Sequence, residues 1–197
     1  CIVHTGWADD RLFEALADLE RFLRAGVNVV SSSPVFLQHP EGAVGRELYE
    51  GVVAAAEEGG VSLWVNGIDP GFANDWLPLV MTSICERIDQ VRCMEVLNYA
   101  TYDQASVLFD IMGFGGSLDE VPFILSPGIL TTAWGSVVSQ IAAGLDVELD
   151  EIVEWHERVP APEAFDVASG RIEAGTTAGM RFEVRGMVGG EARIVLE

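Results

Sequence analysis

Residues 62–79 read SLWVNGIDPGFANDWLPL, two apolar segments joined by a turn rich in glycine and polar residues. An apolar, β-rich run stops at Asn66 and Gly67, and a second apolar segment, typical of a helix, begins after Asn74 and Asp75. Glycine, proline, Asp and Asn residues crowd the link between them, more than a plain connector needs. We interpret the stretch as the end of a buried strand, a specialised turn and a capped helix.

The segments before this stretch repeat the order of strand and helix. Cys1–Thr5 and Val27–Ser31 are short apolar runs typical of strands. Apolar residues recur at helical spacing over 12–23, and again from about Glu41 to Gly59. Strand, helix, strand, helix and strand with glycine-bearing links predict right-handed crossovers on a parallel sheet.

Small polar residues follow all three predicted strands. Ligands of such sheets bind beyond the carboxyl ends of the strands, so we expect these residues to border one crevice. They are His4, Thr5, Ser31, Ser32, Ser33, Asn66 and Asp69.

Beyond Asp69 the pattern changes to α+β, and we place a domain boundary there. The predicted elements are a helix over 74–87, a strand over 91–102, a helix over 129–145 and, after Pro160, strands over 171–174, 179–187 and 192–196, with a hairpin turn at Gly189-Gly190.

The composition excludes several classes of function. The net charge is -20, and all 11 cationic residues are Arg. Schiff-base or P-loop chemistry needs a lysine that this chain lacks. Phosphate backbones attract clustered cations, so we predict no nucleic-acid partner. Three cysteines without a CxxC pattern favour free thiols, and no apolar run reaches the length of a membrane span, so we predict a cytoplasmic protein without a membrane partner.

The chain opens within a predicted strand, and we expect it to be a fragment of a longer protein. A glycine-rich dinucleotide fingerprint is absent: Gly113, Gly115 and Gly116 lack the third glycine, since position 118 is Leu. The phosphate-binding half of any dinucleotide site is therefore expected outside this sequence.

Six motifs, taken in order, resemble the dihydrodipicolinate reductase-like superfamily. The similarity is greatest to its 2,4-diaminopentanoate dehydrogenase and native amine dehydrogenase branch. The motifs are HTG (4–6), GVNVVSSSP (26–34), NGIDPGFANDWLP (66–78), FDIMGFG (109–115), SVVSQIAAGLDVELDEIVE (136–154) and IEAGTTAGMRFEVRG (172–186).

The resemblance implies the fold class and the reaction. It implies an α/β fold: the C-terminal portion of a Rossmann-type parallel sheet over 1–68, followed by an α+β substrate and dimerisation domain over 69–197. The implied cofactor is NAD or NADP, the implied partner is a second copy in a homodimer, and the implied reaction is hydride transfer that interconverts an amine with a small ketone or imine.

Two departures from that branch bear on the chemistry. Its members place a glutamate that handles the amine just after the second strand, where this chain has Ser31–Pro34. Their usual Asn before Pro-Gly is Asp69 here. A catalytically silent ligand-binding or dimerisation module, or a reductase of another C=O or C=N substrate, therefore stays open as an alternative.

Asp69 is the candidate catalytic residue, because a carboxylate at a strand end could bind a cationic amine or relay a proton. Its alternative role is an Asp-Pro turn residue. The candidate cofactor contacts are His4, Thr5, Ser31, Ser32, Asn66, Pro70 and Gly71. The candidate substrate contacts are Ser33, Phe36, Asp110 and Phe114, with Phe109 and Trp134 as further pocket-lining or core aromatics. No metal-ligand spacing is present.

Overall fold

In the computed structural model, residues 1–6, 8 and 11–197 are described. The helices are α1 (Leu12–Arg24), α2 (Glu50–Gly59), α3 (Trp76–Thr82) and α4 (Ile129–Gly144). The strands are β1 (Ile2–His4), β2 (Val29–Ser31), β3 (Leu63–Val65), β4 (Val91–Cys93), β5 (Glu151–Pro160), β6 (Phe165–Val167), β7 (Gly170–Ile172), β8 (Thr177–Val188) and β9 (Glu191–Leu196).

The first part of the chain forms a parallel sheet in the order β1-β2-β3. Helices α1 and α2 pack on it through the predicted apolar faces, and Leu19, Leu23, Val29 and Ala55 are buried between them. The carboxyl ends of the three strands lie at one edge, as the sequence predicted.

The second part is built on a four-stranded sheet in the order β4-β9-β8-β5. Strands β8 and β9 form the predicted hairpin, with Gly189 and Gly190 in its turn. Helix α4 covers one face of this sheet, and Val137, Val138 and Ile141 are fully buried against it. Helix α4 therefore supplies a large part of the hydrophobic core of the second part of the chain.

A third hydrophobic cluster lies beside this sheet. A π-helical segment, Ser106–Ile111, packs with the hairpin of β6 and β7, and Leu108, Met112, Phe114 and Ile172 are buried there. This cluster borders the cavity described below.

Three predicted elements are shorter in the structure by more than two residues. Helix α2 begins at Glu50 rather than near Glu41, because Gly42 takes a positive φ of 84° and Gly45 is extended before a separate 3-10 turn, Arg46–Leu48. Helix α3 ends at Thr82, whose hydroxyl donates to the Leu79 carbonyl. Strand β4 ends at Cys93, opposite the last residue of its partner β9.

Strand β5 was missed in the sequence, because no element was predicted between the helix over 129–145 and Pro160. It is an edge strand, and Glu, His and Arg interrupt its apolar residues without a regular alternation. Charges are common on edge strands and weaken the apolar period that marks a strand. The mixed α/β class with a parallel sheet is confirmed, and the domain boundary near Asp69 stays a prediction.

Within the described residues, none of the helices combines the length and hydrophobicity that crossing a bilayer requires.

Candidate active site

The turn after β3 fixes the position of two carboxylates. Gly71 has a φ of 147°, and a Cβ there would lie 2.3 Å from the backbone of Gly67. Only glycine adopts this conformation readily, so the close approach of the two glycines accounts for the unusual composition of the turn. Asp69 precedes this point and Asp75 follows it, both within the same loop.

Asp69 is held by two side-chain donors. Its Oδ1 accepts hydrogen bonds from the Asn74 amide and, at 2.8 Å, from the Trp134 indole Nε1. Asn74 is buried and its own Oδ1 accepts from the Gly71 backbone N–H at 2.9 Å. Trp134 lies on α4, so Asp69 connects the turn after β3 to the second half of the chain.

A second carboxyl, Glu95, has an exposed side chain that hydrogen-bonds Asp69. It follows the end of β4, where its backbone N–H donates to the Glu197 carbonyl at 2.9 Å. The hydrogen bond to Asp69, with some burial, raises the pKa of Glu95 to about 7. The negative charge of Asp69 opposes ionisation of Glu95. Near neutral pH, the pair of carboxyls therefore gains or loses one proton.

Both carboxyls border one cavity of about 950 Å³. Its size lies at the upper end of the range for small-molecule sites. Most of its lining is apolar, and the third hydrophobic cluster supplies one side. The lining includes Leu108, Met112, Phe114, Trp134, Phe165, Ile172, Met180 and Phe182.

Cys93 also lines the cavity, and its thiol is kept neutral. Burial, and then the charges of Asp69 and Asp75, raise the pKa of the Cys93 thiol to about 11. Its Sγ contacts the Asn74 carbonyl at 3.8 Å. The thiolate is the reactive form, so Cys93 is a packing residue here rather than a nucleophile.

Arg181 carries the only basic side chain among the described residues that line the cavity. Its guanidinium is engaged by Glu197 at 2.7 Å and by Glu183 at 2.9 Å. Glu183 is buried and also pairs with Arg185 at 2.6 Å. Arg181 is therefore already paired, within a network in which Arg92 and Arg185 share the same two carboxylates.

Asp75 is fully buried and has a different surrounding from Asp69. Its Oδ2 accepts from Gln38 at 2.6 Å and from Asn66 at 2.8 Å, while its Oδ1 caps α3 through the Trp76 backbone N–H. Burial raises the pKa of Asp75, and these donors oppose that effect. Every hydrogen bond of the Asp75 carboxylate is therefore made to a donor within the chain.

The serines after β2 form a closed turn. The Ser31 hydroxyl donates to the Ser33 carbonyl at 2.6 Å and accepts from the Ser33 N–H. Its single proton is thus used, so His4 Nδ1, 2.9 Å away, donates to it. The Ser33 Oγ is shielded from solvent and has no partner within the described chain.

The structure brings few of the predicted site residues together. Asp69 and Phe114 line the cavity, whereas Phe36 is buried in the core beneath the parallel sheet and Asp110 is exposed on the π-helical segment. Ser33 lies at the carboxyl edge of the parallel sheet.

The predicted cofactor contacts are spread along that edge and the following turn. Thr5 and Ser32 are exposed, His4 and Ser31 bond to each other, and Asn66 is committed to Asp75. Pro70 and Gly71 form the turn itself. These assignments stay predictions.

Sequence reasoning missed Glu95 and the anchoring role of Asn74. Glu95 lies in an apolar stretch, MEVLN, that carries no motif. Asn74 was considered only as a helix cap, whereas Asp75 is the residue that caps α3. The sequence feature that could have indicated the contact between Asn74 and Asp69 is their spacing of five residues within one turn.

The described residues contain no group of three or more His, Cys, Asp or Glu side chains placed to hold a metal ion.

Comparison with known proteins agrees with the motifs. The chain is 41% identical over 197 residues to a protein named amine dehydrogenase from Streptomyces virginiae, a match that covers 100% of this chain and 54% of that protein. It is 25% identical over 180 residues to the 2,4-diaminopentanoate dehydrogenase of Acetoanaerobium sticklandii, a match that covers 87% of this chain and 48% of that protein. The chain thus spans about half the length of these curated relatives.

A solved structure, that of the amine dehydrogenase from Mycobacterium smegmatis, superposes with a TM-score of 0.70. The match covers 99% of this chain and 55% of that one, at 19% sequence identity, so it supports the fold alone. No protein-family model matches the chain. The resemblance predicted from the motifs is confirmed, and the chain is a homologue of proteins named amine dehydrogenase and 2,4-diaminopentanoate dehydrogenase.

Proposed function

We propose that the protein containing this chain is an NAD(P)-dependent oxidoreductase of the amine dehydrogenase type. Hydride transfer would interconvert an amine with the corresponding imine and ketone. The homologues, both named dehydrogenases, support an enzyme and do not favour a silent module.

One observation carries the proposal. An anchored carboxylate, Asp69, stands at the carboxyl end of a parallel strand and borders a mainly apolar cavity. A carboxylate in apolar surroundings attracts an ammonium group, because water there competes less for the charge. Trp134 and Asn74 both bond Oδ1, so the orientation of Asp69 is set before a ligand arrives.

The carboxyl edge of the parallel sheet fits a nicotinamide cofactor. The shielded, unpartnered Ser33 Oγ lies there, and Thr5 and Ser32 are exposed at the same edge. Hydroxyls suit the amide and ribose groups of such a cofactor. When bound, the cofactor supplies the hydride acceptor or donor. The choice between NAD and NADP depends on a side chain expected outside this sequence.

The charges of the cavity favour an amine over an amino acid. A substrate carboxylate would need a free cation, and Arg181, the only basic side chain in the described lining, is already paired with Glu183 and Glu197. The apolar walls and the size of the cavity favour a bulky hydrocarbon group on the amine. We propose a primary amine without a carboxylate as the substrate class.

We also propose a cytoplasmic homodimer. The three cysteines are free thiols, which suits a reducing compartment. The dimer rests on the resemblance to dehydrogenases that assemble as pairs.

Turnover by the full-length protein tests the proposal. NADH and NADPH oxidation is measured with a panel of ketones, with and without ammonia. We expect ammonia-dependent turnover of apolar ketones, and a loss of about 100-fold or more in Asp69→Asn. Asp119→Asn, an exposed carboxyl outside the cavity lining, is the matched control and should keep wild-type rates.

Absence of any cofactor binding would overturn the proposal. Turnover of ketones that does not depend on ammonia would identify a reductase of another C=O substrate instead.

A further inference from the structure

We infer that Glu95 is a further catalytic residue of this site, acting with Asp69 as a paired base that takes the proton of the bound ammonium group. The inference rests on the proposed function and assigns to Glu95 the proton transfer of that reaction. It concerns a residue that no motif of the sequence marked.

The fold positions the two carboxyls from separate elements. Asp69 comes from the turn after β3, and Glu95 comes from the segment after β4, the first strand of the second sheet. Reciprocal backbone bonds with Glu197 hold that segment: the Glu197 N–H donates to the Cys93 carbonyl at 2.9 Å, and the Glu197 carbonyl accepts from Glu95. Both carboxyls border the same cavity.

Charge around the pair favours uptake of a proton. The titratable or charged side chains that line the cavity with Glu95 are Asp69, Cys93, Tyr99, Arg181 and Glu197. Burial, followed by the charge of Glu95, raises the pKa of the Tyr99 phenol, and the Cys93 thiol stays neutral. Arg181 is paired with Glu197, and the hydrogen bond with Asp69 is the largest cause of the raised pKa of Glu95.

These neighbours give Glu95 a pKa that suits a general base near neutral pH. Its pKa is raised to about 7, first by the hydrogen bond with Asp69. An alkylammonium group has a pKa of about 10, as in lysine. Proton transfer to Glu95 is then unfavourable by about a thousandfold, against about a millionfold for an ordinary glutamate.

In the doubly ionised pair, an oxygen of Glu95 forms an O–H bond as one N–H bond of the substrate ammonium group breaks, which leaves a neutral primary amine with a lone pair on nitrogen. When bound, the nicotinamide of the proposed function would supply the acceptor for the hydride that the C–H bond on the amine-bearing carbon releases. The resulting iminium cation takes up water and gives the ketone and ammonium.

After the step, the protonated Glu95 donates its new hydrogen bond to Asp69. The pair carries one charge again, and that charge faces the cationic product. The same two residues therefore bind the substrate as a dianion and stabilise the product as a monoanion.

The pH dependence follows from the raised pKa of Glu95. A carboxyl whose pKa is raised by folding stabilises the protein in its protonated form, so this contribution is present below about pH 4 and is lost as the pH rises through about 7. The base, in contrast, becomes available as the pH rises through about 7. The rate of amine oxidation should therefore fall as the pH is lowered, with a midpoint near 7.

The test uses the full-length protein with ¹³C-labelled glutamate carboxyls, compared with Glu95→Gln. The amide in that variant keeps a donor toward Asp69 but does not titrate. We expect one glutamate carboxyl to titrate near pH 7, and its signal to be absent from Glu95→Gln. Glu120→Gln removes an exposed carboxyl outside the cavity lining and should keep the signal.

Amine oxidation is followed on the same variants across pH 5–9. We expect kcat/KM of Glu95→Gln to fall by about 100-fold at pH 8 and to lose the limb near pH 7, while Glu120→Gln matches wild type. A glutamate signal near pH 7 that survives in Glu95→Gln, or a wild-type limb in that variant, would overturn the inference alone. A wild-type protein that oxidises no amine would overturn the proposed function and the inference with it.

Discussion

Asp69 and Asp75 lie in one turn, six positions apart, yet their surroundings differ in kind. Asp75 is fully buried and bonds Gln38, Asn66 and a helix N-terminus, so both of its oxygens serve the fold. Asp69 is half-buried, borders the cavity and shares a hydrogen bond with Glu95. A carboxylate that is saturated by donors within the chain is structural, whereas one that faces a cavity beside a second carboxyl is available for chemistry.

The two carboxylates depend on the same glycine, and this gives the largest expected effect. Gly71→Ala places a Cβ 2.3 Å from the Gly67 backbone at a φ of 147°. Strain and overlap together should lower the free energy of unfolding by about 4 kcal/mol. Chemical denaturation of the full-length protein measures the change.

Gly60→Ala is the matched control, because Gly60 also has a positive φ, of 62°, but a Cβ there would meet nothing within 4 Å. It should cost only about 1 kcal/mol. Equal losses at the two positions would mean that the contact between Gly67 and Gly71 does not shape the turn.

The second effect separates the carboxylates themselves. Asp75→Ala leaves the buried amides of Gln38 and Asn66 without an acceptor and removes the cap of α3, so it should lower the free energy of unfolding by about 3 kcal/mol. Asp69→Ala exposes its partners to a cavity that water can enter, and should cost about 1 kcal/mol.

Thermal unfolding compares the two variants, and activity should show the reverse distinction in Asp69→Ala, which should fold but lose turnover. Similar stability losses in both would contradict the division into a structural and a chemical carboxylate.

The smallest effect concerns Cys93, whose thiol is influenced by both carboxylates. Its pKa of about 11 leaves only about one molecule in a thousand as thiolate at pH 8, whereas Cys85 is exposed. Alkylation by iodoacetamide, followed by peptide mass spectrometry, should modify Cys93 at least about tenfold more slowly than Cys85. Faster modification of Cys93 would show that the cavity does not keep its thiol neutral.

The sequence predicted the first half, with its parallel sheet, better than the second half, whose sheet is mixed, for a physical reason. The elements of the parallel half alternate within short distances, so periodicity and glycine links mark them locally, and only the start of α2 was misplaced. Strand β4 instead takes its length from β9, about a hundred positions away, and β5 lies at a charged edge. No pattern in the sequence near β4 predicts that it pairs with β9.

The candidate site divides in the same way. Asp69 was identified because it follows a strand end within an unusual turn, which is a local feature. Glu95 was missed because its proximity to Asp69 depends on how the two sheets meet, and Phe36 was included because a buried aromatic has the same sequence signature as a pocket-lining one.

Calorimetric binding of a bulky amine and its alcohol analogue tests most directly whether Asp69 makes this cavity an ammonium site. Cyclohexylamine and cyclohexanol have nearly the same apolar group, and only the amine carries a positive charge. At pH 8, the full-length wild-type protein should bind the amine at least about tenfold more tightly than the alcohol. Asp69→Asn should weaken that preference, because only the charge of Glu95 is left, while Asp119→Asn keeps it. Equal affinity of the wild-type protein for both ligands, or an unchanged preference in Asp69→Asn, would contradict the account.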